Sequence, residues 1–206
     1  MRKVKKILKY FIEYLITLLI FPLFLLIHLI IFVLIKIDSK GPVFFKQKRA
    51  GKNEKTFYIF KYRTMYVNGD ELLKEYLKNH PEEIEYYNHF HKYKNDPRVT
   101  KIGKILRVTS LDELPQIINV LKGEMSLIGP RPYMIDELKK LGKYKNAILS
   151  TKPGITGLWQ VSGRNNLTFR QRVELEFFYS KKWSLCLDIY ILLKTIKVVL
   201  FRVGVK

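Results

Sequence analysis

The sequence has one cysteine, Cys186. That excludes an intramolecular disulfide and a cysteine-rich zinc site, and it fits a reducing compartment. Glycine and proline are also scarce, 11 and 8 of 206 residues, too few for a low-complexity chain. Acidic residues are few: 18 Asp and Glu stand against 38 Lys and Arg, a formal net charge of +20. Such an excess asks for an anionic partner, whether nucleic acid, a phosphate-rich substrate or the anionic face of a membrane. Hydrophobic residues make up 48% of the chain, which argues against disorder. The length suits one or at most two domains with a core that needs no staple.

One long hydrophobic run is present. Tyr14 to Ile35 contains no Lys, Arg, Asp or Glu and is interrupted only by Thr17, Pro22 and His28. About 20 apolar residues suffice to cross a bilayer core. The run is too long for the apolar region of a cleaved signal, and Lys36-Ile37-Asp38-Ser39-Lys40 lacks a cleavage pattern. Both flanks are basic: Arg2, Lys3, Lys5, Lys6 and Lys9 before, Lys36, Lys40, Lys46, Lys48, Arg49 and Lys52 after. Both therefore favour the cytoplasmic side. A straight span cannot satisfy them; a re-entrant hairpin broken at Pro22 can, because proline removes a backbone donor and supplies a kink. Proline is also tolerated in true spanning helices, so the flanks leave both arrangements open. His28, inside the run, is either a functional group or a packing group near the bend.

The remainder, from Asp38 onward, has the composition of a charged globular domain. Pro42–Lys48 and Thr56–Tyr62 predict a β-hairpin around the turn Arg49–Asn53. Asp70–Asn79, Glu82–Lys94, Ile102–Arg107, Leu114–Leu121 and Thr168–Ser180 predict helices, the last capped by Thr168. Two punctuated loops follow Leu121: Gly129-Pro130-Arg131-Pro132, and Lys152 to Arg164 with a short strand inside it. Leu185–Phe201, continuing into Arg202, reads as a core helix or as one lying in the membrane interface with Lys194 and Lys197 snorkelling.

The chemistry concentrates in Arg107-Val108-Thr109-Ser110-Leu111-Asp112-Glu113-Leu114-Pro115-Gln116. A capping box of Ser110 and Glu113 is one reading, but it puts Pro115 where a helical donor is needed. If the helix starts at Pro115, Asp112 and Glu113 precede it and are free to act. A helix start would lower the Asp112 pKa and attract phosphate. An ionised Asp can attack phosphorus, with Mg²⁺ between the anions. Lys61, Arg63, Arg107, Arg131 and Arg164 are candidate cations around such a site, and the last two sit in rigid Gly/Pro loops. His89-x-His91 has no third ligand and carries no metal reading.

These blocks resemble the bacterial sugar transferases, the monotopic phosphoglycosyl transferases that use a polyprenyl phosphate acceptor. The likeness runs through Gly41–Gln47, Phe60-Lys61-Tyr62-Arg63-Thr64-Met65, Asp96–Thr100, Thr109–Gln116, Asn119–Ser126, Gly129–Pro132, Lys152–Arg164 and Trp183–Ile189. The Trp159–Arg164 block is similar to members of the galactose or glucose phosphotransferase type. The resemblance implies an α+β fold with an N-terminal re-entrant membrane helix over 1–38, a small hairpin region and amphipathic interfacial helices. It implies a catalytic domain over 39–206 on the cytoplasmic face of the bacterial inner membrane. It further implies transfer of a hexose 1-phosphate from a UDP-sugar to undecaprenyl phosphate with release of UMP. In that reading Asp112 is the nucleophile of a covalent phosphosugar intermediate and Glu113 its partner. Both carboxylates hold Mg²⁺, and Lys61, Arg63, Arg107, Arg131 and Arg164 contact phosphate and nucleotide. Anionic lipids are expected partners, nucleic acid is not, and a homo-oligomer is left open. The chain starts without the extra spanning helices of larger members, so a minimal catalytic form is expected. It departs from many members in having Phe21, not Ser, before Pro22. The rival is a non-catalytic basic membrane anchor for anionic lipid or nucleic acid, which leaves Asp112-Glu113 and the two arginine loops unexplained.

Overall fold

The computed structural model describes residues 2–90 and 93–201; His91 and Arg202 lie outside these. Helix α1 spans Arg2–Asp38. Its buried positions, Lys9, Glu13, Thr17, Phe24, Ile31 and Ile35, recur at helical spacing, so a single stripe is covered along the whole helix. Flanked by half-buried Tyr10, Phe21, Ile27 and His28, this stripe leaves much of the remaining circumference exposed, including Leu19, Leu26 and Ile30. The helix is long and apolar enough to cross a membrane.

Pro22 lies inside this helix, and the residues on both sides of it are helical. Pro22 itself is exposed, and beside it the Phe21 and Phe24 rings lie with centroids 5.5 Å apart.

Strands β1 (Phe44–Ala50) and β2 (Thr56–Tyr62) pair antiparallel, with Phe45 opposite Lys61 and Arg49 opposite Phe57. Arg49 is thus in the strand and not in the turn. Helices α2 (Gly69–Asn79), α3 (Glu82–Phe90) and α4 (Lys101–Thr109) follow. Thr100 caps α4 through Gly103 N, and Gly103 lets that helix touch β2's continuation. A Cβ on Gly103 would stand 2.1 Å from the Thr64 carbonyl oxygen.

Next come a 3₁₀ turn at Leu111–Glu113 and helix α5 at Gln116–Leu121. Asn119, fully buried on α5, substitutes for a missing strand partner. It accepts from Phe60 N at 3.0 Å and donates to the Tyr58 carbonyl at 2.8 Å. Ile31, Ile35, Val43, Tyr62 and Leu106 form one core cluster, against which Leu111 and Leu114 pack. The turn carrying Asp112 therefore rests on α1.

A second sheet joins the two punctuated loops. Strand β3 (Ser126–Ile128), not evident in the sequence, runs parallel to β4 (Gly154–Thr156). Gly154 makes the crossing possible, since a Cβ there would lie 2.1 Å from Gly129 N. Short helices α6 (Lys145–Leu149) and α7 (Leu158–Ser162) lead to α8 (Phe169–Lys182). Thr168 caps α8, as the sequence predicts, and the structure adds Gln171 as its partner in a capping box. In α9 (Leu185–Leu200) Asp188, Ile191 and Val198 are buried while Ile189, Leu193 and Ile196 are exposed. One face of the helix is therefore core and the opposite face is apolar and exposed.

Two buried polar networks tie these layers together. Lys9 Nζ donates to Asp188 Oδ2 at 2.8 Å, Tyr179 Oη at 2.9 Å and the Ile128 carbonyl at 2.8 Å, and it pairs with Glu13 at 3.2 Å. Asp38, at the other end of α1, accepts from Ile102 N at 3.0 Å. In the second network Glu176 of α8 accepts from Arg131 N at 2.8 Å and from the Tyr133 hydroxyl. Burial pushes the Glu176 carboxyl up to about 7. The folded protein thus holds this proton to a higher pH than the unfolded chain. Its contribution makes stability fall as pH rises from about 4.5 to about 7. Glu176→Gln should flatten that part of a denaturation-versus-pH profile while keeping an acceptor for Arg131 N.

Candidate active site

Asp112 and Glu113 lie in the 3₁₀ turn before α5. The capping-box reading fails: the Ser110 side chain makes no cap bond, and Glu113 Oε1 instead takes Lys61 Nζ at 2.7 Å. Lys61 Nζ is also 4.0 Å from Asp112 Oδ2. Pro115 stands at the cap of α5, as the alternative helix start requires.

These groups line a cavity of about 340 Å³. Lys61, Arg107, Arg131 and Arg164 are all on its wall, brought together from β2, α4 and the two Gly/Pro loops. Arg63 is not. Its guanidinium donates to Pro42 O at 2.6 Å, Ser39 Oγ at 2.6 Å and Ser39 O at 2.9 Å, binding β2 to the end of α1. Arg49 takes a place on the wall that the sequence reading did not give it. Its NH1 donates to Pro132 O at 3.2 Å. Arg49 belongs to the strand because β1 runs two residues past the expected end at Lys48, to Ala50. Ser110, Gln116, Trp159 and Gln160 also line the cavity, a placement that nothing in their spacing marks.

The electrostatics are those of an anion site: five cationic side chains surround two carboxylates. The expected lowering of the Asp112 pKa is not found. Burial raises it to about 6, partly opposed by Lys61 and Arg107, while Glu113 raises it further. A six-residue helix preceded by a 3₁₀ turn offers too weak a dipole to outweigh desolvation. Asp112 is still mostly ionised near neutrality. Two wall residues are held in the left-handed region, Ser110 at φ 59° and Arg164 at φ 48°, and the Arg164 guanidinium reaches Ser110 Oγ at 3.4 Å. Such backbone strain persists only where the surroundings enforce it. Among the described residues, Arg49 Nε, Trp159 Nε1 and Gln160 Oε1 are buried without a hydrogen-bond partner, and all three residues line this cavity. They are polar atoms that a ligand or water can satisfy.

No group of three or more His, Cys, Asp or Glu that could hold a metal occurs among the described residues. Two adjacent carboxylates without a third protein ligand suit Mg²⁺, which usually takes one or two carboxylates and completes its shell with water and substrate phosphate.

Comparison with known proteins bears on this geometry. An uncharacterized sugar transferase of Haemophilus influenzae is 51% identical over 174 residues, covering 84% of this chain and 37% of that protein. The undecaprenyl-phosphate galactose phosphotransferase of Salmonella typhimurium is 49% identical over 164 residues, covering 80% of this chain and 34% of the relative. The exopolysaccharide production protein ExoY of Sinorhizobium fredii is 43% identical over 171 residues, covering 83% of this chain and 76% of ExoY. The chain thus spans about a third of the length of the first two and about three quarters of the third. With the bacterial sugar transferase family model matching residues 4–202, the chain belongs to the bacterial sugar transferase family.

Proposed function

We propose that this protein transfers a hexose 1-phosphate from a UDP-sugar to undecaprenyl phosphate, in the assembly of a surface glycan such as an exopolysaccharide. The observation that carries the reading is the Asp112-Glu113 pair set in a cavity walled by Lys61, Arg49, Arg107, Arg131 and Arg164. The names of the Salmonella relative and of the UDP-glucose:undecaprenyl-phosphate glucose-1-phosphate transferase of Xanthomonas campestris support the same reaction class.

In the first half-reaction a carboxylate oxygen of Asp112 attacks the β-phosphorus of the donor. An Asp112 O–P bond forms, the bond from that phosphorus to the bridging oxygen breaks, and UMP leaves with that oxygen. In the second, an oxygen of the lipid phosphate attacks the same phosphorus. The Asp112 O–P bond breaks, the carboxylate is restored and a lipid diphosphosugar departs. Arg131 and Arg164 are assigned to the donor diphosphate and nucleotide, where arginine forks match phosphate oxygens. Lys61 orients Glu113 and limits repulsion between Asp112 and the incoming phosphate. Asp112 and Glu113 would hold Mg²⁺, which offsets negative charge on the diphosphate when bound. Wild-type protein given UDP-galactose or UDP-glucose and Mg²⁺, without lipid, should release UMP and gain the mass of one hexose phosphate. Absence of any adduct with every UDP-sugar of a panel would sink the covalent reading.

The same reading places α1 as a re-entrant helix on the cytoplasmic leaflet of the inner membrane, with the exposed face of α9 in the interface. Its support is that one domain holds both ends of α1, through Lys9 and through Asp38. A straight span would carry one end away. Cysteines introduced at Lys5 and Lys40 should both react only with a reagent applied from the cytoplasmic side. Labelling of either from outside would refute the hairpin.

A further inference from the structure

A second cavity, of about 640 Å³, shares no residue with the catalytic one. Three parts of the chain meet in it. Lys6 comes from α1, Lys143 and Asn146 from the turn into α6, and Phe177 and Lys181 from α8. Among the described residues, no Asp or Glu lines it. Each of its three ammonium groups lies over an aromatic ring. Lys6 Nζ is 6.0 Å from the centre of the Trp183 ring, Lys143 Nζ 5.3 Å from that of Tyr144, and Lys181 Nζ 5.9 Å from that of Phe177. The Tyr144 and Phe177 rings are themselves in contact, with centroids 4.8 Å apart. A ring face attracts an ammonium without cancelling its charge, so this wall holds positive charge. Lys9, three residues further along α1, shows the contrast: its ammonium is spent on Glu13 and Asp188 inside the fold.

The surroundings give the anion its class. Around Lys6, α1 exposes Val4, Ile7 and Leu8; beyond Trp183, α9 exposes Leu185 and Ile189. Lysines set among exposed apolar residues form an interfacial surface, with ammonium groups at headgroup depth and apolar side chains against acyl tails. A free phosphate compound would use the lysines and leave the apolar surface in water. A glycerophospholipid uses both. Its phosphate takes charge-assisted bonds from the lysines, and its tails cover the exposed leucines and isoleucines.

We propose that this cavity binds the phosphate of a single anionic glycerophospholipid between Lys6, Lys143 and Lys181. The bound lipid fastens α1 to α6 and α8 from outside, as the pairing of Lys9 with Asp188 fastens α1 to α9 from inside. The proposal goes beyond the transfer reaction. It rests on α1 lying in a membrane and needs neither the donor nor the nucleophile.

Native mass spectrometry of the full chain in a neutral detergent, with no UDP-sugar present, counts the lipids bound during a titration with phosphatidylglycerol. Wild type should bind one molecule ahead of any others, and should bind phosphatidylcholine, which has no net charge, at least about tenfold more weakly. Lys143→Gln combined with Lys181→Gln should weaken phosphatidylglycerol at least about tenfold, because each lysine lost subtracts attraction to the anionic headgroup. Lys143→Arg combined with Lys181→Arg keeps the charge and should stay within about threefold of wild type. Lys74→Gln combined with Lys78→Gln removes the same charge from the exposed side of α2 and should bind as wild type does. Equal losses in the α2 pair and the cavity pair overturn the site, leaving only general attraction to a basic protein. Equal binding of phosphatidylcholine overturns the call for an anion. Displacement of the lipid by glycerol 3-phosphate or inorganic phosphate at similar concentration overturns the lipid assignment, because the cavity would then serve a soluble phosphate compound. The transfer reaction stands or falls separately: a protein that forms no phosphosugar adduct, yet binds one phosphatidylglycerol through these lysines, refutes the catalytic reading and upholds this one.

Discussion

Asp112→Asn should abolish the phosphosugar adduct and lower turnover by about 10⁴-fold or more, the scale seen when a covalent nucleophile is removed. The amide is nearly isosteric, so the 3₁₀ turn and its packing through Leu111 and Leu114 on the α1 core should survive. What disappears is the anionic oxygen that attacks phosphorus and one carboxylate of the pair. Glu113→Gln provides the contrast. Glu113 is held by Lys61 at 2.7 Å and borders the donor cavity, so its loss should slow both half-reactions while some adduct still forms. Intact-protein mass spectrometry after incubation with donor and Mg²⁺ reads both outcomes. Normal transfer by Asp112→Asn would refute the mechanism. Release of UMP by wild type only when both substrates are present would favour direct attack by the lipid phosphate.

Lys9→Met should destabilise the fold by about 3–5 kcal/mol, measured by denaturant unfolding in a fixed detergent, because it strands buried charge. Lys9 is the cation of a cluster that includes Glu13 and Asp188, all three buried. Asp188 also accepts from Tyr179 at 2.7 Å and from Trp183 Nε1 at 2.8 Å. Removing the ammonium leaves two carboxylates facing each other with neutral donors only. Adding Asp188→Asn to Lys9→Met should recover part of the loss, since it removes one stranded charge and keeps an acceptor for Trp183. A single variant within about 1 kcal/mol of wild type, an ordinary effect for a surface change, would show that the cluster does not clamp α1 to the domain.

Some of this was present in the chain's local order. The length and lack of charge of the run from Tyr14 to Ile35 dictate an apolar helix, because backbone bonding in a helix needs no outside partner. Thr168 with Gln171 sets the start of α8 through bonds made within one turn. Enrichment in aromatic and β-branched residues sets β2 from Thr56 to Tyr62. Proline at position 115 set the start of α5 by excluding a helical donor. The motif blocks also placed Asp112 and Glu113 beside a helix start and supplied the cations.

Tertiary structure decided the rest, because burial and long-range partners have no signature in spacing. Lys61 on β2 and Arg63 just past its end stand two residues apart, yet Arg63 is spent on Ser39 and Pro42 while Lys61 faces the carboxylates. Arg49 entered the site only through pairing across the hairpin and its bond to Pro132. Strand β3 has three residues and forms because β4 lies beside it, a pairing between segments 28 positions apart in the register Ser126 to Gly154. Lys9 read as one flanking charge among several until Asp188, far along the chain, was placed against it. The pKa of Asp112 moved opposite to the local expectation for the same reason: a helix start is local, whereas the desolvation that outweighs it is made by the walls of a cavity assembled from the whole domain.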